Sequence, residues 1–127
     1  ADTTARKLQE DGIKKVALLG TKFTMQEDFY KQRIIDNFDI EVVIPNIEEQ
    51  NIIHDIIYKE LCLGLIKKES RNAYIKIIKR LEEEHNVEGV ILGCTEIAML
   101  IKQGYVNIPI YDTTLLHAKA AVQKAIE

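Results

Sequence analysis

Residues 87–104 read VEGVILGCTEIAMLIKQG. An unbroken apolar run, Val90-Ile91-Leu92, ends on Gly93; a cysteine, a threonine and a glutamate follow before apolar residues resume. A run this short, apolar at successive positions and closed by glycine, is the pattern of a strand buried on both faces of a parallel sheet. The change to helical spacing just after it predicts a short helix over TEIAMLIKQ, stopped by Gly104. Strand, turn and helix in that order form the repeating unit of an α/β protein.

The same unit recurs outward along the chain. KKVALLG (14–20) is a second buried strand, IEVVIP (40–45) a third, and VNIPIYD (106–112) a fourth. Pro109 confines that last one to a sheet edge or a strand start. Helices fill the intervals. Residues 2–11 carry Asp2 or Thr3 as cap and Gly12 as stop. Thr24 and Glu27 form a capping-box pair, predicting a helix after Thr24 with Phe29, Tyr30, Ile34 and Phe38 along one face. An apolar stripe through residues 52, 53, 56, 57 and 61–63 ends near Gly64, and Ser70 reads as the cap of a helix over 71–85. TTLLHAKAAVQKAI (113–126) is a last amphipathic helix. The expected fold class is α/β, a short and mostly parallel sheet of about four strands flanked by helices.

Composition narrows the function. Of 127 residues, 46% are apolar and 29% charged, an ordinary globular balance. The net charge of -3 provides no basic field for nucleic acid or anionic lipid. No segment approaches the ~18 continuous apolar residues of a membrane helix. Two cysteines, Cys62 and Cys94, lack metal-ligand spacing, and a cytoplasmic setting is expected for free thiols. No metal is expected. Neither GxGxxG nor GxxxxGK[ST] occurs, so nucleotide phosphates have little support. The chain opens on Ala1 and enters a helical segment at once, which points to a processed or truncated polypeptide.

Ligands of open α/β sheets bind beyond the carboxyl ends of the strands. The residues predicted there are Gly20, Thr21 and Thr24, then Gly93, Cys94, Thr95 and Glu96, then Tyr111, Asp112, Thr113 and Thr114. Cys94 stands where a helix begins, and the free N–H groups of a helix start favour a thiolate there. Such a thiolate can serve as nucleophile, metal ligand or base; the opposing reading is a buried core thiol. For Cys62, inside ELCLGLI, the core reading is the stronger. Thr24 is explained as a cap alone, although two hydroxyls beside helix amides would also receive a carboxylate. His54 reads as a helix-surface residue and His85 as exposed, whereas His117, in the first turns of the last helix, could reach the rim.

GVILGCTEIAML resembles the second cysteine motif of the aspartate/glutamate racemase family, and VALLGTKFTMQEDFY resembles the segment opening the second domain of its aspartate racemases. IIYKELCLGLI, SRNAYIKIIKRLEEEHNVEGVILGCTEI and IPIYDTTLLHAKAAV continue the resemblance in order over nearly the whole chain. The resemblance implies a flavodoxin-like or Rossmann-like half of a two-domain racemase. It divides the chain into an entry helix (1–12), the second α/β domain (13–105), and a C-terminal strand and helix (106–127) that would return to a first domain. It implies a cofactor-independent enzyme exchanging the α-proton of an acidic amino acid, aspartate or else glutamate, between two bases on opposite faces of Cα. By motif, Cys94 would be the second-domain acid/base, with Thr21, Thr24, Thr95 and Glu96 around the substrate. Glu96 stands where glutamate racemases carry histidine, which favours the aspartate branch. Lys67 falls where aspartate racemases hold a substrate-recognising lysine, and a solvated-face reading stands level with it. Asp112 and His117 complete the candidates.

The family's first domain, with the other base, is not among these residues. The apolar face of the last helix, Leu115, Ala118, Val122, Ala125 and Ile126, would otherwise expose roughly 400 Å². A homodimer, or association with a first-domain half, is therefore expected. Two alternatives remain: a single-cysteine decarboxylase or isomerase of the same superfamily, and an inactive fragment that binds small carboxylates or a partner chain.

Overall fold

The computed structural model describes residues 2–113. Its elements run α1 (Asp2–Glu10), β1 (Lys15–Leu19), α2 (Lys22–Gln26), α3 (Asp28–Phe38), β2 (Glu41–Val43), α4 (Ile47–Lys59), a 3-10 turn (Leu61–Leu63), α5 (Lys68–His85), β3 (Gly89–Leu92), α6 (Ile97–Leu100) and β4 (Ile110–Asp112). The four strands form one sheet in the order β2-β1-β3-β4, and every pairing is parallel. The α/β expectation holds.

The apolar runs follow from burial on both faces. Ala17, Leu19, Val90 and Leu92 point to one core with Ile53, Ile57, Leu61, Tyr74, Ile78, Leu81, Ile97 and Leu100 of α4, α5, α6 and the 3-10 turn. Val16, Leu18 and Ile91 point to the other core, with Ala5 and Leu8 of α1, Ile34 of α3 and Tyr111. Successive strand residues face opposite sides, so a central strand covered twice has no polar position left.

Several boundaries differ from the sequence reading. Thr24 does not cap the helix that follows: Thr21 caps α2, Glu27 ends it with extended backbone, and α3 restarts at Asp28. Ser70 lies inside the first turn of α5, bonded to the Glu60 carboxylate, and Lys67 precedes that helix without a side-chain cap. A reciprocal capping box that the reading missed opens α4, between Asn46 and Glu49. The helix over 95–103 contracts to the four residues of α6. β2 and β4 are three residues each, and Pro109 sits just before edge strand β4. The helix over 113–126 lies outside the described residues beyond Thr113.

Long-range ties fix the frame. The Tyr111 hydroxyl donates to Asp11 Oδ2 at 2.6 Å, joining the end of α1 to β4. Gly89 is required by the same ring: a β-carbon there would stand 3.0 Å from Tyr111 Cε2. The Tyr74 hydroxyl, buried between α4 and α5, donates to the Ile53 carbonyl at 2.8 Å.

Candidate active site

From β1 the chain passes through α2 and α3 to β2 on one side, and from β2 through α4 and α5 to β3 on the other. The strand order therefore reverses between β1 and β3, the point at which open α/β sheets carry their ligand crevice, beyond the carboxyl ends of the strands. Leu19 and Leu92 are in register there, and Gly93 N–H donates to Leu19 O at 2.7 Å. The glycines that follow admit Thr24. A β-carbon on Gly20 would stand 3.1 Å from Thr24 Cγ2, and one on Gly93 3.0 Å from it. The predicted rim residues from β1 and β3 thus meet in space.

Thr21 and Thr24 form one hydroxyl pair, Oγ1 to Oγ1 at 3.0 Å, and Thr24 N–H donates to Thr21 Oγ1 at 3.2 Å. A neighbour comes from α4. Lys22 N–H donates to His54 Nδ1 at 3.0 Å, and the imidazole lies 4.7 Å from the Tyr58 ring, centroid to centroid. His54 is half-buried, not the free surface residue that the sequence suggested. One signal was legible: Gln50 and His54 are polar, four residues apart, and adjoin the buried Ile53 and Ile57 on the apolar face of α4. His85, read as exposed, is half-buried as well.

Cys94 is half-buried, and its thiol donates to Glu96 Oε2 at 2.7 Å. The Thr95 hydroxyl donates to the same oxygen at 2.9 Å. Glu96 occupies the cap position of α6 without capping it, because its carboxylate turns back to the thiol. This corrects the expectation of a thiolate. Burial pushes the Cys94 thiol up to about 11, and the Glu96 carboxylate adds to that, while a Glu96 backbone N–H opposes it. The Cys94 thiol, the Glu96 backbone and the Thr95 hydroxyl hold the Glu96 carboxyl below its ordinary value. Both directions agree: one proton rests on sulfur, against a carboxylate. The four-residue α6 supplies too little helix dipole to outweigh that.

The remaining candidates divide. Asp112 ends β4 in register with Leu92, half-buried, and the neighbouring Thr113 hydroxyl donates to Leu92 O at 3.0 Å. Lys67 is exposed at the start of α5, whose Arg71 donates to the Leu100 carbonyl of α6 at 2.8 Å. His117 lies outside the described residues. Cys62, expected in the core, is exposed, because α4 gives way at Glu60 to a 3-10 turn that buries Leu61 instead. Among the described residues no group of three or more His, Cys, Asp or Glu is placed to hold a metal ion. Among them, too, no helix is long and apolar enough to cross a membrane.

A family model described as Asp/Glu/hydantoin racemase matches residues 1–121. Among solved structures, a Yersinia pestis protein provisionally named an Asp/Glu racemase superposes with a TM-score of 0.94 at 43% identity, over 100% of this chain and 55% of that one. An aspartate racemase homologue from Pyrococcus horikoshii OT3 gives 0.94 at 38% identity, over 99% of this chain and 54% of that one. The aspartate racemase of Picrophilus torridus gives 0.65 at 27% identity, over 94% and 51%. The chain thus spans about half the length of the solved chains it matches.

Proposed function

This chain belongs to the Asp/Glu/hydantoin racemase family, and from that premise we propose that it supplies one acid/base group for cofactor-independent racemisation of an acidic amino acid. Aspartate is the first candidate substrate and glutamate the second. The observation that carries the reading is the Cys94 thiol bonded to the Glu96 carboxylate at 2.7 Å, beside the crevice where β1 and β3 diverge.

The chemistry follows from where the proton rests. An amino-acid Cα–H is a very weak acid, so a base on one face must meet a positioned acid on the other. Cys94 starts as the acid: it gives its proton to the carbanion and is left as thiolate, while the opposite base has taken the α-proton. Run backwards, the Cys94 thiolate removes the proton and the same contact with Glu96 is restored. Hydroxyls of Thr21 and Thr24 and nearby amides are suited to the substrate carboxylate, where charge builds as Cα ionises. Thr95 keeps the Glu96 carboxylate turned to the sulfur. Asp112 borders the crevice, and Lys67 stands by the start of α5 as a candidate for the side-chain carboxylate. The second base would come from another half, first domain or second copy. Exposed apolar residues on α2, the 3-10 turn and α6 support such a contact: Phe23 at 77%, Leu63 at 71% and Met99 at 40%.

Proton NMR of L-aspartate and L-glutamate in heavy water, with chiral chromatography of the products, tests the proposal. Loss of the α-proton signal with appearance of the D-enantiomer, both absent in Cys94→Ala, is the expected result. Product lacking a carboxyl group would point to a decarboxylase. Binding without exchange would point to a chain that only holds small carboxylates.

A further inference from the structure

We infer that His54 is a positioning residue for the crevice, holding the β1–α2 turn from the neighbouring helix α4. This rests on the racemase reading above for what the turn binds, and on the geometry alone for how the turn is held. Lys22 is the first residue of α2, and its N–H has no partner within its own helix. His54 Nδ1 accepts it at 3.0 Å, which places the imidazole proton on Nε2.

A second contact lies one helical turn along both helices. Gln26 Nε2 donates to Gln50 Oε1 at 2.8 Å, and the Gln50 amide in turn donates to the Pro45 carbonyl at 2.8 Å. Gln50 is 2% exposed, so that network is fixed inside the protein. Lys22 and Gln26 are four residues apart, as are Gln50 and His54, so two matched rungs join α2 to α4. A five-residue helix has little stability of its own and takes its position from what it is tied to.

What the rungs position is the hydroxyl pair. Thr21 and Thr24 flank the Lys22 amide, and Thr24 Cγ2 is the atom packed on both Gly20 and Gly93. Gly93 is followed by Cys94. A shift of Lys22 therefore moves the two hydroxyls relative to the thiol, although His54 itself need not touch substrate.

The test compares wild type, His54→Ala and His54→Asn in three measurements: hydrogen exchange of the Lys22 amide, affinity for L-aspartate by NMR titration, and KM against kcat where turnover is measured. Asparagine carries an acceptor oxygen close to the place of Nδ1. With one neutral hydrogen bond lost, His54→Ala should exchange the Lys22 amide about 5- to 10-fold faster and bind L-aspartate about 5- to 10-fold more weakly. KM should rise while kcat holds, and His54→Asn should recover most of the loss. Unchanged Lys22 exchange in His54→Ala overturns the inference. So does equal impairment of both variants, which would mean that only packing on Tyr58 had been lost. A wild type that ignores both L-aspartate and L-glutamate defeats the racemase reading, and Lys22 exchange still decides whether His54 holds the turn.

Discussion

Thr24 and Gly93 touch across the gap between two crossovers: the threonine methyl lies 3.0 Å from where a β-carbon on Gly93 would stand. Leu19 O is 3.2 Å from the same point. Gly93→Ala should therefore cost about 1–3 kcal/mol, because a close-packed site accepts a methyl only by moving its neighbours. Thr24→Ser removes the offending methyl and keeps the hydroxyl. In that background Gly93→Ala should cost less, with the Leu19 carbonyl left to account for the remainder; urea unfolding of the four members of this cycle measures it.

Glu96→Gln should make Cys94 more reactive, not less. Burial is the larger cause of the raised thiol and stays, but the carboxylate's contribution is removed, so the thiol falls below about 11. More thiolate is then present at mildly alkaline pH. Alkylation by iodoacetamide at about pH 8.5, in a Cys62→Ser background, should run faster in Glu96→Gln than in its parent. An unchanged or slower rate would show that Glu96 does not hold the proton on sulfur.

The raised thiol, held up by burial first and by Glu96 second, makes stability depend on alkaline pH. The unfolded thiol loses its proton near 9.0, whereas the folded one keeps it to about 11. Its contribution is full below the lower value and disappears as pH rises through the upper one. The wild type should lose stability against Cys94→Ala between those limits. At the acid end the sign reverses for Glu49, whose carboxyl is held down by Arg80, with Nε donating at 2.6 Å, against the opposing effect of its own burial. That contribution is present above the ordinary glutamate value and is lost as pH falls through the lowered one, so Glu49→Gln should flatten the acid limb of a denaturation series.

Cys62→Ser should leave stability within about 0.5 kcal/mol of wild type, as surface substitutions usually do. The thiol is exposed, in contrast to its place in an apolar sequence stretch. Tyr74→Phe should cost more, about 1 kcal/mol, because it removes a buried hydrogen bond that ties α5 to α4. Thermal unfolding of the two variants side by side checks both.

The sheet was legible because its two central strands, β1 and β3, carry apolar runs (residues 16–19 and 90–92) that stop at Gly20 and Gly93, a signal that survives without any tertiary information. The place of Cys94, Thr21, Thr24 and Glu96 beyond the carboxyl ends of β1 and β3 was legible because they follow those runs directly. The protonation of Cys94 was not, because it depends on a carboxylate that turns back instead of capping α6. Nor was the exchange of caps between Thr24 and Thr21: Thr24 has the capping-box glutamate and Thr21 does not, yet the chain turns extended at that glutamate and Thr21 caps α2. His54 was missed although its spacing from Gln50 on the apolar face of α4 marked it as half-buried, because its partner, a main-chain N–H thirty-two residues away, leaves no trace in side-chain spacing.

The two cores on either side of the sheet share β1 and β3, so those strands are freed only when both cores come apart. Their amides should exchange with solvent by global unfolding alone, while the short helices α2 and α6 open by local fraying. Gly20 and Gly93 are the points at which one regime passes into the other. The crevice thus stands between the slowest and the fastest clocks in the molecule: its floor keeps its shape for as long as the protein is folded, and its lip re-forms many times in that interval.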